Sequence, residues 1–352
     1  MSPSFYLVRN AIFLTVPLER EFLAMKMFKA VDNDFNIPLK RKMVRRMDVT
    51  KIDENIHLID LELAGIESSI ASYVLKGKNT AIVETGPAST VQNLLSGLKE
   101  LDVKPEEVAY VAVSHIHLDH AGAAGTLLRY LPKAKLVVHR RGAPHVANPE
   151  KLWTQAREVL GNIAELYGKP EPVPEERIIA ATDGMVFDVG NDVELKVVET
   201  LGHASHHFSY YEVSSRGIFT GDAAGIYLNN FDVVVPTTPP PFRLDIALAS
   251  LKKMINLKPR FLYYSHFGKA QNAIEKLQVY ANQLKLWTEI AKQGIEKGEN
   301  LEAISRRILE SDAAVQKAAE HIRNHPILSK TVLNQSVEGV MKFVEKFGNV
   351  PV

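Results

Sequence analysis

One stretch of sequence decides the fold: VAYVAVSHIHLDHAG, residues 108–122. Its first part is apolar and rich in β-branched side chains, which predicts a buried strand. Three histidines and one aspartate then follow within residues 115–120, and imidazole and carboxylate are the usual ligands of catalytic first-row metals. Small residues lead into TLLRY, residues 126–130, which is typical of a helix. The stretch therefore predicts a metal-ligand motif at the carboxyl end of a strand, where α/β folds carry their chemistry.

Three further histidine or aspartate residues also follow apolar runs. His203 and Asp222 each come directly after a glycine, and His266 comes directly after a serine. Glycine permits close approach of the backbone beside a site. With the first motif, these residues give the following candidate metal ligands: His115, His117, Asp119, His120, His203, Asp222 and His266. So many ligands exceed the needs of one tetrahedral ion, and they suit two ions that share a carboxylate.

The composition limits the class of protein. The chain has 352 residues, 46% of them hydrophobic, and a formal net charge of +1. This length supports one large core plus appendages, and the balanced charge gives no reason to expect a nucleic acid or an anionic membrane as partner. The chain has no cysteine, which excludes disulfides and thiolate ligands. We expect a cytoplasmic protein, because no apolar run of about 18 residues is present and the patch at residues 11–18 is too short for a signal peptide.

Three segments differ in their sequence pattern. Residues 1–46 are rich in Met, Phe, Lys and Arg and are interpreted as a basic amino-terminal arm. Residues 47–270 alternate short strand and helix signals and are predicted to form the catalytic domain. Three runs between residues 56 and 84 are separated by glycine and charged turns, which predicts consecutive antiparallel strands. Residues 271–352 carry amphipathic helices and are predicted to form a carboxyl-terminal helical region.

The order of the motifs resembles that of a known family. His-x-His-x-Asp-His, then Gly-His, Gly-Asp and Ser-His, spread over roughly residues 50–270, resemble the metallo-β-lactamase superfamily. Within it the chain most resembles the glyoxalase II-like and lactonase-like hydrolases. The resemblance implies an α+β fold, an αββα sandwich of two mixed β-sheets flanked by helices, with a two-metal site at one edge. The helices after residue 270 would then be an extension of this fold.

The resemblance also distributes the ligands between two divalent ions. One ion would take three histidines, the second an aspartate and two histidines, and another aspartate would bridge them: His115, His117 and His203; Asp119, His120 and His266; and Asp222. Zinc is the expected ion, and iron and manganese are the alternatives. Glu84 stands where the family commonly has an aspartate that supports a ligand from behind, so the geometry of this support is open. His207 is predicted to be such a supporting residue rather than a ligand.

The predicted activity is hydrolysis of a small ester, thioester or lactone by a hydroxide that bridges the two ions. Water bound to zinc has a pKa of about 7, so hydroxide is available at neutral pH. One ion would stabilise the oxyanion, while Asp119 would orient the water or relay its proton. The predicted catalytic residues are therefore Asp119, Asp222 and Tyr227. Tyr227 would donate a hydrogen bond to a carbonyl or leaving group, with an ordinary half-buried tyrosine as the equal alternative.

Several residues near the predicted pocket have ordinary interpretations beside functional ones. Arg243 follows a proline-rich loop and suits a substrate anion, but a surface salt bridge is favoured. Residues 152–167 are predicted to form one helix over the site, in which Trp153 lines a pocket or packs into the core. The helical tail covers the mouth of the site, packs on the sandwich or mediates a homodimer, and packing or dimerisation is favoured. Other histidines lack a matching spacing and are interpreted as surface or packed residues: His57, His139, His145, His321 and His325.

Two other functions fit part of the pattern. Persulfide dioxygenases share the motif order but use one iron bound by two histidines and one aspartate, so a mononuclear-iron oxidoreductase is the first alternative. A phosphodiesterase or nuclease is the second, although neither an RNA-binding arm nor an inserted domain is evident between His120 and His266. We therefore expect a small-molecule substrate, no nucleic-acid or membrane partner, and a homodimer through the carboxyl-terminal helices as the candidate assembly.

Overall fold

A computed structural model describes residues 48–348 of the chain. The predicted basic arm, residues 1–46, lies outside the described residues. Within them the chain forms two large β-sheets and a small two-stranded ribbon. Helices pack on the outer face of each large sheet, so the predicted α+β sandwich is confirmed.

The first sheet has seven strands, which follow one another in chain order. They are β1 Val49–Lys51, β2 Ile56–Asp60, β3 Ala71–Leu75, β4 Thr80–Val83, β5 Val108–Ala112, β6 Lys135–His139 and β7 Ile178–Ala181. Strands β1 to β4 pair antiparallel, as predicted for the runs between residues 56 and 84. Strands β4 to β7 pair parallel. The carboxyl ends of these parallel strands therefore share one edge of the sheet.

The second sheet has six strands. They are β8 Val186–Gly190, β9 Val193–Glu199, β10 Phe208–Glu212, β11 Gly217–Gly221, β14 Phe261–Tyr264 and β15 Gly268–Ala270. Their order across the sheet is β15-β14-β11-β10-β9-β8. The pair β11–β14 is parallel and the other neighbours are antiparallel. Strands β12 (Ile226–Leu228) and β13 (Val233–Val235) form the separate antiparallel ribbon.

Thirteen α-helices lie within the described residues. They are α1 Val91–Glu100, α2 Leu118–Ala121, α3 Ala124–Tyr130, α4 Ala143–Ala147, α5 Glu150–Leu160, α6 Asn162–Tyr167, α7 Leu244–Asn256, α8 Ala273–Glu296, α9 Leu301–Ser311, α10 Ala313–Lys317, α11 Ala319–Asn324, α12 Leu328–Lys330 and α13 Val337–Phe347. A π-helical segment, Thr331–Ser336, connects the last two. Across residues 48–348, none of the helices has the length and apolar character needed to cross a lipid bilayer.

The strands alternate between two hydrophobic clusters, which explains why their sequences are apolar on both faces. In β2, Ile56 and Leu58 face the space between the sheets, whereas Ile59 packs with the outer helices. Tyr73 of the first sheet meets Phe219 of the second at 5.0 Å between ring centroids. Side chains of both sheets therefore share one core in the space between them.

Two details differ from the sequence prediction. The predicted helix over residues 152–167 is two helices, α5 and α6, because Gly161 adopts φ 55° and ψ −124° between them, a conformation outside the helical region. Five strands were not predicted: β1, β7, β12, β13 and β15. Each has only three or four residues, too few for a reliable period of two.

The carboxyl-terminal helices, α8 to α13, pack on the outer face of the second sheet. Leu277 and Trp287 of α8 and Val340 of α13 share one buried cluster with Ile218 and Leu262 of that sheet. The favoured prediction that the tail packs on the sandwich is therefore confirmed, and dimerisation through it stays a prediction. Residues on both sides of the boundary predicted at residue 270 therefore belong to one buried cluster.

Candidate metal centre

The first donor set consists of His115, His117 and His203, from two different loops. His115 and His117 lie between β5 and α2, whereas His203 follows β9. His115 Nε2 lies 2.8 Å from His117 Nδ1, and His203 Nε2 lies 3.2 Å from the same atom. Three imidazole nitrogens therefore converge on one point, an arrangement that suits a single first-row metal ion.

The second donor set consists of Asp119, His120 and His266. Asp119 and His120 lie in the short helix α2, and His266 follows β14. Asp119 Oδ2 lies 3.5 Å from His266 Nε2 and 3.8 Å from His120 Nε2. His266 Nδ1 donates a hydrogen bond of 2.9 Å to the carbonyl oxygen of Ser69, so in the neutral ring Nε2 carries no hydrogen and is able to act as a ligand.

Asp222 lies between the two donor sets, at the end of β11. Its Oδ2 is 3.5 Å from His203 Nε2, whereas its Oδ1 is 3.4 Å from His120 Nε2 and 3.8 Å from His266 Nε2. The two oxygens therefore face different sets, as a bridging carboxylate requires. The turn before Asp222 needs glycine, because Gly221 has φ 50° and a Cβ there would lie 2.5 Å from Ser114 Cβ.

Burial and mutual proximity shift the pKa of most of these groups. Burial lowers the pKa of His115 far below its usual value and that of His117 to about 3, and neighbouring imidazoles add to the effect. Burial alone would raise the pKa of Asp119 and Asp222, but the facing imidazoles outweigh it. They hold the pKa of Asp119 at about 2 and that of Asp222 well below its usual value. His115, His117, Asp119 and Asp222 therefore have the protonation states that metal ligands need.

Two buried atoms show that the donor set fits cations. His120 Nε2 and Asp222 Oδ1 have no hydrogen-bond partner among the described residues, and unsatisfied buried polar atoms are rare and costly. Burial lowers the pKa of His120, but the carboxylates of Asp222, Glu84 and Asp119 outweigh burial and raise it well above the usual value. Negative charge is thus in excess at this point, and divalent cations between the facing donors would balance it.

Glu84 supports the centre from behind despite its extra methylene. Its Oε1 lies 3.4 Å from His120 Nδ1 and accepts hydrogen bonds from the Ser114 backbone N–H at 3.3 Å and the Ser265 hydroxyl at 3.2 Å. One carboxylate oxygen therefore links both loops that carry the second donor set. The open question about Glu84 is answered, because the longer side chain still reaches the imidazole.

A closed chain of hydrogen bonds fixes the backbone around Asp222, and we call it the Asp222 ring. The Asp222 N–H donates to His207 Nε2 at 3.0 Å, so the hydrogen of this imidazole is on Nδ1, which lies 3.0 Å from Thr200 Oγ1. Thr200 Oγ1 is 2.9 Å from Ser209 Oγ, which donates to the Thr220 carbonyl at 3.1 Å. His207 therefore acts as a supporting residue, in agreement with the sequence interpretation.

A cavity of about 700 Å³ opens above the two donor sets, and Asp119, His203 and Asp222 lie in its wall. Residues 63–70, helix α5, the β12–β13 ribbon with the following prolines, and the carboxyl-terminal helices form the rest of the lining. The tail thus covers the mouth of the site as well as packing on the sandwich. A cavity of this size accepts a small organic molecule.

Tyr227 lines this cavity, as predicted. Its hydroxyl donates a hydrogen bond of 2.7 Å to Asp232 Oδ1, and burial together with this bond raises its pKa. A hydroxyl has one hydrogen, so donation to a substrate would replace the bond to Asp232. The catalytic role of Tyr227 stays a prediction.

The other pocket candidates take their ordinary roles. Arg243 forms a two-bond ion pair with Asp245, at 2.9 and 2.6 Å, and its guanidinium lies 4.5 Å from the ring centre of Phe347. Trp153 packs against the cluster beneath the first sheet. His139 Nε2 pairs with Glu199 Oε1 at 2.9 Å. The salt bridge favoured for Arg243 is therefore confirmed.

Sequence reasoning missed several histidines that line the cavity. His206 stands beside the first donor set, with its ring 5.9 Å from that of His117. His145, His321 and His325 also line the cavity, although their spacing gave no sign of it. In the run Gly-His-x-x-His-His, residues 202–207, roles were predicted for His203 and His207 but not for His206. The tail histidines reach the cavity through tertiary packing alone.

Comparison with known proteins identifies the class that this fold and site define. The family model of the metallo-beta-lactamase superfamily matches residues 65–266. The chain therefore belongs to the metallo-beta-lactamase superfamily.

Individual relatives share part of the chain. The metallo-beta-lactamase fold-containing protein ST1585 of Sulfurisphaera tokodaii is 33% identical over 201 residues, which cover 56% of this chain and 72% of that protein. Its crystal structure superposes with a TM-score of 0.56 at 30% identity, covering 66% of this chain and 86% of the other. The N-acyl homoserine lactonase AttM of Rhizobium radiobacter is 31% identical over 118 residues, 34% of this chain. This match spans only 41% of AttM.

A more distant structure shares the fold alone. The metallo-beta-lactamase family protein TTHA1429 of Thermus thermophilus superposes with a TM-score of 0.59 at 20% identity. The alignment covers 80% of this chain and 90% of the other.

Proposed function

We propose that the chain is a metal-dependent hydrolase that cleaves a small ester, thioester or lactone. The position of Asp222 carries this proposal, because its two oxygens face different donor sets at the base of a cavity. The seven candidate ligands supply three histidine nitrogens to one position and two histidine nitrogens with a carboxylate to the other. Two divalent cations, with zinc as the first choice, would satisfy this arrangement.

Each group in the centre has a distinct task in this proposal. Bound cations supply Lewis acidity toward a carbonyl oxygen and make hydroxide available near neutral pH. Asp119 lies in the cavity wall, and its pKa of about 2 keeps it a carboxylate, so it accepts a hydrogen bond from water and orients it. Glu84 holds the His120 imidazole and the Ser114 backbone, and the Asp222 ring holds the backbone of Asp222. Together these contacts preserve the separation of the two donor sets.

The name of one relative narrows the choice of substrate to test. AttM is an N-acyl homoserine lactonase, and its match to this chain covers 118 residues. A lactone is therefore the first substrate to try, followed by thioesters and aryl esters.

Metal analysis and a hydrolysis screen test the proposal together. The purified protein is expected to hold two zinc, iron or manganese ions per chain and to cleave one of these compounds with kcat/KM of at least about 10⁴ M⁻¹s⁻¹. His203→Ala is expected to lose metal and activity, whereas the matched variant His57→Ala, which removes a histidine of β2 outside both donor sets, keeps them. One iron per chain with oxygen uptake on glutathione persulfide, and no hydrolysis, would contradict the proposal.

Location and assembly are further proposals. We infer a cytoplasmic protein from the sequence composition and a homodimer through the carboxyl-terminal helices. Fractionation of the native cells and sedimentation of the purified chain test them separately. A monomer at micromolar concentration would exclude the dimer.

A further inference from the structure

One peptide group lies between the metal centre and the carboxyl-terminal helices. Its carbonyl oxygen, of Thr237, accepts a hydrogen bond of 3.0 Å from His203 Nδ1, and its N–H, of Thr238, donates to Ser336 Oγ at 3.1 Å. A peptide group is planar and rigid, so a displacement at one end moves the other. A single rigid unit therefore connects His203, a candidate ligand of the first donor set, to the π-helical segment of the tail.

The contact with this peptide group fixes the tautomer of His203. A carbonyl oxygen can only accept a hydrogen bond, so Nδ1 carries the hydrogen, and in the neutral ring Nε2 is able to bind a cation. Nε2 is also the atom that lies 3.2 Å from His117 Nδ1 and 3.5 Å from Asp222 Oδ2. The Thr237 carbonyl therefore sets both the direction of the imidazole and the identity of its ligand atom.

Two further hydrogen bonds hold the peptide group against the tail. The Thr238 hydroxyl donates to the Ser336 carbonyl at 2.8 Å, and the Ser336 hydroxyl donates to the Thr331 carbonyl at 2.9 Å. Thr238 and Ser336 are both fully buried. The loss of either hydroxyl would therefore leave a buried backbone group without this partner, which is costly.

Helix α13 approaches the same loop so closely that it requires a glycine. A Cβ at Gly339 would lie 2.9 Å from the carbonyl carbon of Thr238 and 3.0 Å from that of Pro239, which is too close for any side chain. Phe343 of α13 packs against Phe242 at the end of the loop, with 6.1 Å between the ring centroids. The loop between β13 and α7 therefore rests directly on the backbone of the tail.

The second donor set has supports of a different origin. His266 Nδ1 donates to the Ser69 carbonyl, and His120 Nδ1 faces Glu84 Oε1. Ser69 lies in the loop before β3, and Glu84 directly follows β4. Both supports therefore come from the first sheet, whereas the support of His203 rests on the tail.

We propose that the carboxyl-terminal helices position the first donor set, with Ser336 as a positioning residue that acts on His203 through the peptide group of residues 237–238. This inference rests on the proposed function, because it concerns the same metal centre. Displacement of the tail would weaken binding of the ion at the first donor set and spare the ion at the second. The tail is therefore part of the metal centre as well as a wall of its cavity.

Metal titration of one variant tests the inference. Ser336→Ala removes the acceptor of the Thr238 N–H, and we expect one of the two zinc-binding steps, measured by competition with a chelator, to weaken about tenfold. The affected step should be the one that His117→Ala abolishes. The step that His266→Ala abolishes should change far less, and an equal or larger effect on that step would overturn the inference.

Further variants separate positioning from a general loss of stability. Ser305→Ala removes a hydrogen bond of 2.9 Å to the Leu333 carbonyl in the same π-helical segment, and we expect it to leave both binding steps unchanged. Thr238→Val removes the hydroxyl that reaches Ser336 and should weaken the same step as Ser336→Ala, whereas Thr238→Ser should restore it. An equal loss in Ser305→Ala, or equal affinities in the two Thr238 variants, would count against a positioning role and overturn the inference.

The metal-free protein gives a readout that does not depend on the proposed function. The Nδ1–H resonance of His203, assigned by its absence from His203→Ala, should shift or broaden in Ser336→Ala and stay unchanged in Ser305→Ala. An unchanged resonance in Ser336→Ala overturns the inference. Two bound ions without hydrolysis of any substrate, or no bound zinc at all, would contradict the proposed function and leave this resonance decisive for the tail.

Discussion

Asp222 and Asp312 are both buried carboxylates, but they have opposite surroundings. Asp312, at the start of α10, accepts hydrogen bonds from Trp287 Nε1 at 2.8 Å, from Gln283 Nε2 and from two backbone amides. Asp222 faces three imidazoles instead, and its Oδ1 has no hydrogen-bond partner among the described residues. The exposed fractions of the two residues are nearly equal, at 3% for Asp312 and 5% for Asp222.

The difference shows how a structural carboxylate is told from a functional one. Neutral donors satisfy Asp312 completely, and they join α8 to the start of α10. Asp222 is left electrostatically incomplete in a place where facing nitrogens converge. Burial alone therefore carries no functional meaning, whereas unsatisfied oxygens facing ligand atoms do.

Replacing Asp222 should give the largest effect. Asp222→Ala removes the group that faces both donor sets, so we expect loss of metal and of all detectable hydrolysis with the fold retained. Elemental analysis, activity and circular dichroism measure these three properties. Full metal occupancy in this variant would show that the bridging assignment is wrong.

Replacing Asp312 should have the reverse effect. Asp312→Ala leaves an indole N–H, one N–H of the Gln283 amide and two backbone N–H groups without this acceptor, and we expect a loss of about 4 kcal/mol in the free energy of unfolding. Metal content per folded chain should be unchanged. Asp312→Asn, which keeps one acceptor oxygen, should lose about half as much. Urea denaturation measures both, and a loss of metal without loss of stability would contradict the comparison.

Asp60 is an intermediate case, because within residues 48–348 only backbone amides donate hydrogen bonds to it. Its oxygens accept the N–H groups of Glu62 at 3.0 Å and Ser68 at 2.6 Å. Burial raises its pKa to about 6, with the nearby Glu62 and Asp48 adding to the effect and the two amides opposing it. A carboxyl whose pKa is raised by folding contributes stability below its unfolded pKa, and this contribution is lost as pH rises through about 6.

Asp60→Asn tests this sign. The free energy of unfolding of the unmodified chain, minus that of the variant, should fall by up to about 3 kcal/mol between pH 4 and pH 7. Denaturation at several pH values measures the difference, with Asp312→Asn as the comparison. A difference that stays constant across this range would show that Asp60 keeps its ordinary pKa.

The smallest effect is expected in the Asp222 ring. Thr200→Val removes the hydroxyl that joins His207 to Ser209, and we expect metal affinity to fall about tenfold. Thr200→Ser keeps the hydroxyl and should restore most of the affinity. Competition with a chelator measures both, and the Nδ1–H resonance of His207 in the metal-free protein should be lost only in the valine variant. Equal affinities in the two variants would exclude a positioning role.

Sequence reasoning was most successful where chemistry and secondary structure coincide in a short stretch. The run from His115 to His120 predicts both a strand end and a group of donors, and the structure brings His203, Asp222 and His266 to it. The reason is geometric, since strands of two packed sheets end at a shared edge. Fold class and convergence of the candidate ligands are therefore readable from local patterns.

The supporting contacts and the cavity depend on longer-range packing. The Asp222 ring requires the register that pairs Phe208 with Glu199, because this pairing places Ser209 beside Thr200. The tail residues of the cavity wall reach it only through the packing of α8 to α13 on the second sheet. Neither the strand register nor the packing of the tail can be recognised in a short stretch of sequence. Gly161 likewise gave a weak signal, because a glycine inside a helical pattern is often tolerated.

The two helical walls of the cavity differ in their freedom to change during evolution. Helix α5 contributes no fully buried side chain, although one face with Trp153 packs against the cluster beneath the first sheet, so substitutions at its exposed positions alter what the cavity meets at little cost in stability. The opposite wall continues into Val332 and Val337, which belong to the buried core. A library of variants that seeks new substrates should therefore diversify α5 and keep the tail constant. By the same reasoning, related enzymes with different specificities should diverge first along this one exposed helix.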